Sequence, residues 1–106
     1  MEKCLSLLTL SFVIFAGAGC SKSVSLVSAD GKHSLVYDCG SFQPKVETQV
    51  QIGILVDSLS DIYTHASKND NFVSIVAIQK AVENGDWRTV ERLAVEYKCQ
   101  HSTEFK

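Results

Sequence analysis

Asp57, Asp61 and His65 recur at four-residue intervals in this 106-residue chain. On a helix, each step of four residues turns about 400°, so the three side chains span about 80° of one face. Two carboxylates and an imidazole so placed are groups that hold a divalent metal or share a proton. They equally suit a plain solvated face, because Leu55, Leu59 and Ile62 form an apolar stripe opposite them. Only a fourth group brought from elsewhere would turn them into a metal centre. Cys39, Cys99, His101 and His33 are the other ligand types. Cys99-x-His101 is not a usual zinc spacing, however, and Cys39 has no close partner. No cofactor is expected. Trp87, the sole tryptophan, is either an exposed anchor for a partner, as tryptophan often is in binding hot spots, or a residue that closes a helical hairpin. His33 and His101 read as solvated. No serine sits in a nucleophile elbow and no glycine-rich loop cradles phosphate. The acidic residues are too scattered for paired-carboxylate catalysis, and the sequence reads as that of a non-enzyme.

The residues that address the chain are clearer. Met1-Glu2-Lys3 is followed by an uncharged apolar run from Cys4 to Ala16. That run has the length of a signal-peptide core and is short for a bilayer span. Small residues come next, Ala16-Gly17-Ala18-Gly19, and then Cys20. Ala18-Gly19-Cys20 resembles the signal of bacterial lipoproteins, in which small residues precede a cysteine. The resemblance covers residues 1–20, and it departs from the family at Gly17, where an aliphatic residue is usual. It implies that Cys20 carries a thioether-linked diacylglycerol, becomes the first residue, and is acylated on its new amine. Several acyl chains give stable anchoring, at about 0.8 kcal/mol per buried CH₂. Ser21, being other than Asp, implies an outer-membrane address facing the periplasm. Ordinary secretory cleavage and a retained anchor are the competing readings.

If the signal leaves with Cys4 and lipid occupies Cys20, two of the four cysteines remain, Cys39 and Cys99. An even pair in an oxidising compartment predicts a disulfide. Cleavage without lipid would leave an odd thiol.

The positioning elements follow from periodicity. Ser23–Ala29 alternates, Asp30-Gly31 signals a hairpin turn, and Leu35-Val36-Tyr37 returns, so residues 23–38 read as a β-hairpin. A lone hairpin is unstable in water, and the rest of the chain supplies helices. Pro44 suits a first helical turn. From there Ile52, Leu55, Val56, Leu59, Ile62, Tyr63 and Ala66 predict a helix over 45–66. A polar break, Ser67–Asn71, precedes a second helix containing Phe72, Ile75, Val76, Ile78, Ala81 and Val82. Being apolar over much of its girth, that helix should be the central, most buried one. Asn84-Gly85 ends it and Asp86 caps a third helix, in which Trp87, Val90, Leu93, Ala94 and Tyr97 share a face. Residues 100–106 read as a frayed tail. The expected whole is α+β: signal 1–19, short tether 20–23, and one small domain 24–99 with a hairpin, about three helices and one disulfide.

Net charge is −2, with 10 basic and 12 acidic residues. That offers no basic face for nucleic acid and no polybasic patch for anionic lipid. The chain therefore reads as a non-enzymatic, lipid-anchored protein that binds and modulates a membrane-proximal envelope protein, as exclusion-type lipoproteins do. The alternative is a tethered inhibitor of a cell-wall hydrolase such as lysozyme, presenting Asp38–Pro44 or Ser67–Asn71 to a cleft. An exposed apolar patch favours the first reading, and a protruding rigid loop beside Cys39 favours the second. Cys20→Ala should abolish incorporation of labelled fatty acid and leave the processed chain in the soluble fraction. A processed variant that still sediments with membranes would refute lipidation at Cys20.

Overall fold

The computed structural model describes residues 22–105, so the predicted signal and Cys20 lie outside the described residues. Two strands, β1 (Ser23–Val27) and β2 (Ser34–Asp38), precede three helices, α1 (Gln49–Lys68), α2 (Phe72–Glu83) and α3 (Trp87–Gln100). The architecture is the α+β one expected from the sequence, and Cys39 is bonded to Cys99 with Cα atoms 5.8 Å apart. The bond joins residues 60 apart in sequence. In the chain-entropy model, closing such a loop contributes about 4 kcal/mol.

The strands pair antiparallel, with Val24 opposite Tyr37 and Leu26 opposite Leu35. These four turn towards the helices, and Leu26 and Tyr37 are fully buried. The turn is wider than an Asp-Gly pair alone. Ser28 N–H donates to His33 O and Gly31 N–H to Ser28 O, both at 2.9 Å. Asp30 stabilises it by accepting from Ser28 Oγ and Lys32 N. Gly31 takes φ +74°, a value that favours glycine.

A two-stranded sheet leaves unpaired edges, and helix side chains complete the outer edge of β1. Ser58 Oγ accepts from Val27 N at 3.0 Å and donates to Ile54 O at 3.1 Å. Asp57 Oδ2 accepts from Ala29 N at 3.0 Å, and Lys98 Nζ donates to Ser25 O at 2.7 Å. Groups that a third strand would satisfy are thus satisfied by α1 and α3.

Helix α1 begins at Gln49, not near Lys45. Thr48 caps it, and Gln51 reaches back to the cap to complete a capping box. Pro44 lies outside the helix because Lys45 and Val46 are held elsewhere: their N–H groups donate to Glu91 Oε2 at 2.7 and 3.2 Å. Glu91 is fully buried on α3, and Tyr37 Oη donates to the same oxygen. Burial, reinforced by the bond to Glu91 and its charge, pushes the Tyr37 hydroxyl far above the ordinary phenol range. It therefore stays a donor.

Helix α2 is not the central one. It buries only Ile78 and Ala81, against six residues for α1 and five for α3. Helices α1 and α3 both face the hairpin, whereas α2 packs on α1 and α3 alone. With neighbours on one side, a helix apolar on several sides must leave the rest in solvent. Both interhelical turns use a left-handed residue, Asp70 (φ 56°) and Gly85 (φ 68°). Asn71 N–H reaches Ala66 O and Asp86 N–H reaches Ala81 O, so each helix end is closed by a Schellman turn. Among the described residues, no helix is long and apolar enough to cross a membrane.

Glu91→Ala would strand a buried phenol and loosen two partly buried N–H donors, at about 1–3 kcal/mol for each group left fully unsatisfied and less where water can reach it. Relief of carboxylate burial offsets part of this. Urea unfolding should show a net loss of about 2–4 kcal/mol. A loss within 0.5 kcal/mol, roughly the spread of ordinary surface substitutions, would refute the role given to this carboxylate.

Candidate functional site

The polar face of α1 does not assemble as a unit. Asp57 is turned to the hairpin, where it accepts from Ala29 N. Asp61 faces Lys98 of α3, and its charge opposes the fall that burial imposes on that ammonium. Only His65 meets further ligand types, and they come from the C-terminus instead of from α1.

His65 is half-buried at the last turn of α1. Its Nδ1 lies 2.6 Å from Tyr97 Oη on α3. Its Nε2 lies 2.5 Å from Glu104 Oε1. His101, the residue that caps α3, places Nδ1 3.5 Å from the same oxygen. Aromatic faces support the group. The rings of Phe105 and His101 sit 4.8 and 4.9 Å from that of His65, and His101 lies 4.4 Å from Tyr97. The bond from His65 is the largest of several influences that hold the Glu104 carboxyl below its ordinary value. Burial, then the charge of Glu104, raises the Tyr97 hydroxyl.

The tail is therefore folded, not frayed. The chain turns at His101–Glu104, with Glu104 N–H donating to His101 O at 2.9 Å, and Phe105 packs against the core. His101 is correspondingly half-buried and not a free surface group. Among the described residues, one set of three His, Cys, Asp or Glu side chains converges: His65, His101 and Glu104, whose ligand atoms all lie within 4.8 Å of one another. The fourth group that the α1 triad lacked has come to His65 alone. Sequence patterning missed Tyr97 and Glu104 as members of this cluster. Tyr97 was assigned to the apolar face of α3, and Glu104 lies in a segment without periodicity. The spacing His101-x-x-Glu104 was the one available signal, since residues three apart share a side of a helical turn.

The remaining candidates stand apart. His33 is exposed beside the hairpin turn. Trp87 is half-buried at the first position of α3 and packs on the core. Cys39 and Cys99 are joined to each other. The segment after Cys39 is tied down at two places, where Phe42 stacks on Tyr37 with centroids 5.9 Å apart and where Glu91 holds Lys45 and Val46, while Ser41, Gln43 and Lys45 line an open pocket with Val36 and Asp38 of β2.

Two features fall at one end of the bundle. Val73, Ser74 and Ala77 of α2 line a groove with Tyr97 and Gln100 of α3, next to the His65 cluster. Phe72, Val73 and Val76 carry their side chains into solvent beside it. Phe105→Ala should lower stability by about 1–2 kcal/mol, the share expected for a partly buried aromatic, and should accelerate exchange of the Glu104 amide. Unchanged exchange at Glu104 would mean that the turn does not depend on this packing. Compared with protein-family models, curated proteins and solved structures, the chain matches none of them.

Proposed function

We propose that the chain is a non-enzymatic, lipid-anchored protein of the bacterial envelope that binds a membrane protein through the outer face of α2. The observation that carries the reading is the exposure of Phe72, Val73 and Val76, at 53%, 81% and 60%. Val76 lies four residues after Phe72 and three after Val73, so the three fall within an arc of about 100° of the helix. A groove towards α3 takes Val73 into its lining, and a second, between Val56, Leu59 and Tyr63 of α1 and Gln79, Val82 and Glu83 of α2, lies further along the helix. A contiguous apolar surface rimmed by polar groups is the usual mark of an interaction site. Gln79, Lys80 and Glu83 supply the rim at the far end of α2.

The tether argues for a membrane-bound partner. Lys22 is already tied to the domain: its carbonyl accepts from Cys39 N–H at 2.8 Å. Lipid on Cys20 would leave Ser21 alone between anchor and domain. Two extended residues from Cys20 to Lys22 reach only about 7 Å. A domain held so closely meets membrane proteins at high effective concentration and cannot search the periplasm. The hydrolase-inhibitor alternative draws less support. The segment beside Cys39 is laid down on Tyr37 and Glu91, and the residues after Lys68 are wound into a helix cap.

A photo-activatable residue at Val73 or Val76 of the full lipidated chain should crosslink in living cells to one integral membrane protein. The same residue at Val50, exposed on α1, should not. Val73→Asp combined with Val76→Asp should preserve the disulfide and helical circular dichroism while removing the crosslink made from position 72. A soluble hydrolase as the crosslinked species, or equal yield from position 50, would overturn the proposal.

A further inference from the structure

We propose that His65, His101 and Glu104 form a binding site for a borderline divalent transition ion, of which Zn²⁺ is the type. The site draws one ligand from the end of α1 and two from the turn that closes the chain. It stands on geometry separate from the α2 face and does not depend on the function proposed above.

The donor set is the first argument. Two imidazoles and one carboxylate suit zinc and its neighbours, whereas Ca²⁺ and Mg²⁺ take oxygen ligands. Three protein ligands leave one position open, unlike the closed four-ligand shell of structural zinc sites. Access fits this: the side chains of His65, His101 and Glu104 are 15%, 25% and 49% exposed. An ion could enter from solvent, and water or a partner's donor could complete the shell.

The second argument is orientation. A ligating histidine usually engages its other ring nitrogen with a fixed partner, which sets its tautomer and ring angle. His65 does so. Nδ1 is held at 2.6 Å by Tyr97 Oη, a buried hydroxyl, and Nε2 is left facing Glu104 and His101. Phe105 and His101 pack against the His65 ring and limit its rotation.

The third argument is fit. Bonds of about 2.0–2.1 Å in a tetrahedral shell place ligand atoms about 3.3–3.4 Å apart. The separations from Glu104 Oε1 are 2.5 Å to His65 and 3.5 Å to His101, and none of the three exceeds 4.8 Å. The closest pair must open by about 0.8 Å and the widest close by at most about 1.5 Å to meet that ideal. Glu104 and His101 lie on the terminal turn, outside every regular element, so side-chain rotation there can supply the change. The bound ion would fasten that turn to the end of α1.

The test is metal titration of the detergent-solubilised full-length chain, first stripped with a chelator. Zn²⁺ should bind with one equivalent per chain in competition with a chromophoric chelator. Co²⁺ should give the visible bands of a tetrahedral site with nitrogen and oxygen ligands. His101→Ala and Glu104→Gln should each weaken binding about tenfold or more, and Tyr97→Phe should weaken it less. Circular dichroism without metal should show that the His101 and Glu104 variants still fold, because both residues lie beyond α3. His33→Ala should change nothing. Binding by the wild type no tighter than by the His101→Ala/Glu104→Gln double variant would overturn the site. So would binding that survives in the double variant and disappears in His33→Ala.

Discussion

The fold depends on one buried carboxylate. Glu91 Oε2 accepts from the Tyr37 hydroxyl of β2 and from two successive backbone N–H groups at Lys45 and Val46. Three pieces of chain that lack a common hydrogen-bonded element are joined at one atom. Charge-assisted bonds of this kind are roughly twice as strong as neutral ones, and they must offset the cost of removing the carboxylate from water. Its second oxygen, Oε1, is buried without a partner among the described residues, so the balance is narrow. The disulfide ties the end of β2 to the end of α3, the same helix that carries Glu91. The disulfide, the Tyr37–Glu91 bond and the Lys98–Ser25 bond thus hold the hairpin on α3 from three points. A chain this small has little apolar area to do so by burial alone.

The same constraint explains where the polar residues of α1 went. A two-stranded sheet has an unpaired row on each outer edge, and such a row needs protein or solvent partners. Asp57 and Ser58 of α1 and Lys98 of α3 satisfy the row on β1. Asp57 therefore has a positioning task that its spacing from Asp61 and His65 could not reveal. Spacing along a helix reports which side chains share a face. It says nothing about which backbone groups another element will bring to that face.

Legibility in the sequence follows the same division. Local chemistry was readable: alternation in β1, the Asn84-Gly85 stop with Asp86 as the next cap, and the pairing of Cys39 with Cys99. The start of α1 was also written locally, as Thr48-x-x-Gln51, but Pro44 offered a competing first turn. What overruled Pro44 was Glu91, more than forty residues away. Glu91 lies four residues after Trp87 and three before Ala94, on the apolar side of α3, but a glutamate is rarely fully buried unless paired, and its partners come from β2 and the segment that follows it. For α2, the apolar content was read correctly and its burial was not. Hydrophobicity around a helix records what the residues would prefer, whereas burial depends on how many neighbours arrive. Two helices and a hairpin leave α2 with neighbours on one side only. In the tail, no periodicity marks residues 101–105, and the aromatic contacts that fold them exist only once α1 and α3 are side by side.

That difference between preference and burial gives the α2 face its meaning. A small domain near the stability limit gains from each apolar side chain it can enclose. This one encloses Leu26, Leu55, Ile62, Ile78 and Val90 almost completely and still leaves Phe72, Val73 and Val76 in solvent. Scattered exposed apolar residues need no explanation, but a group on adjacent turns of one helix, beside a groove, is a different case. Val73 is 81% exposed and Val76 60%, so polar substitutes at these two would cost little buried contact, and folding gains little from their being apolar. They lie at the N-terminal end of α2, where the Val73 groove continues to Tyr97 and so to His65 and its neighbours. A partner seated on that end would meet an apolar helix face and an imidazole–carboxylate cluster together. The first contributes desolvation and the second direction, which is the division of labour between an interface's apolar centre and its polar rim.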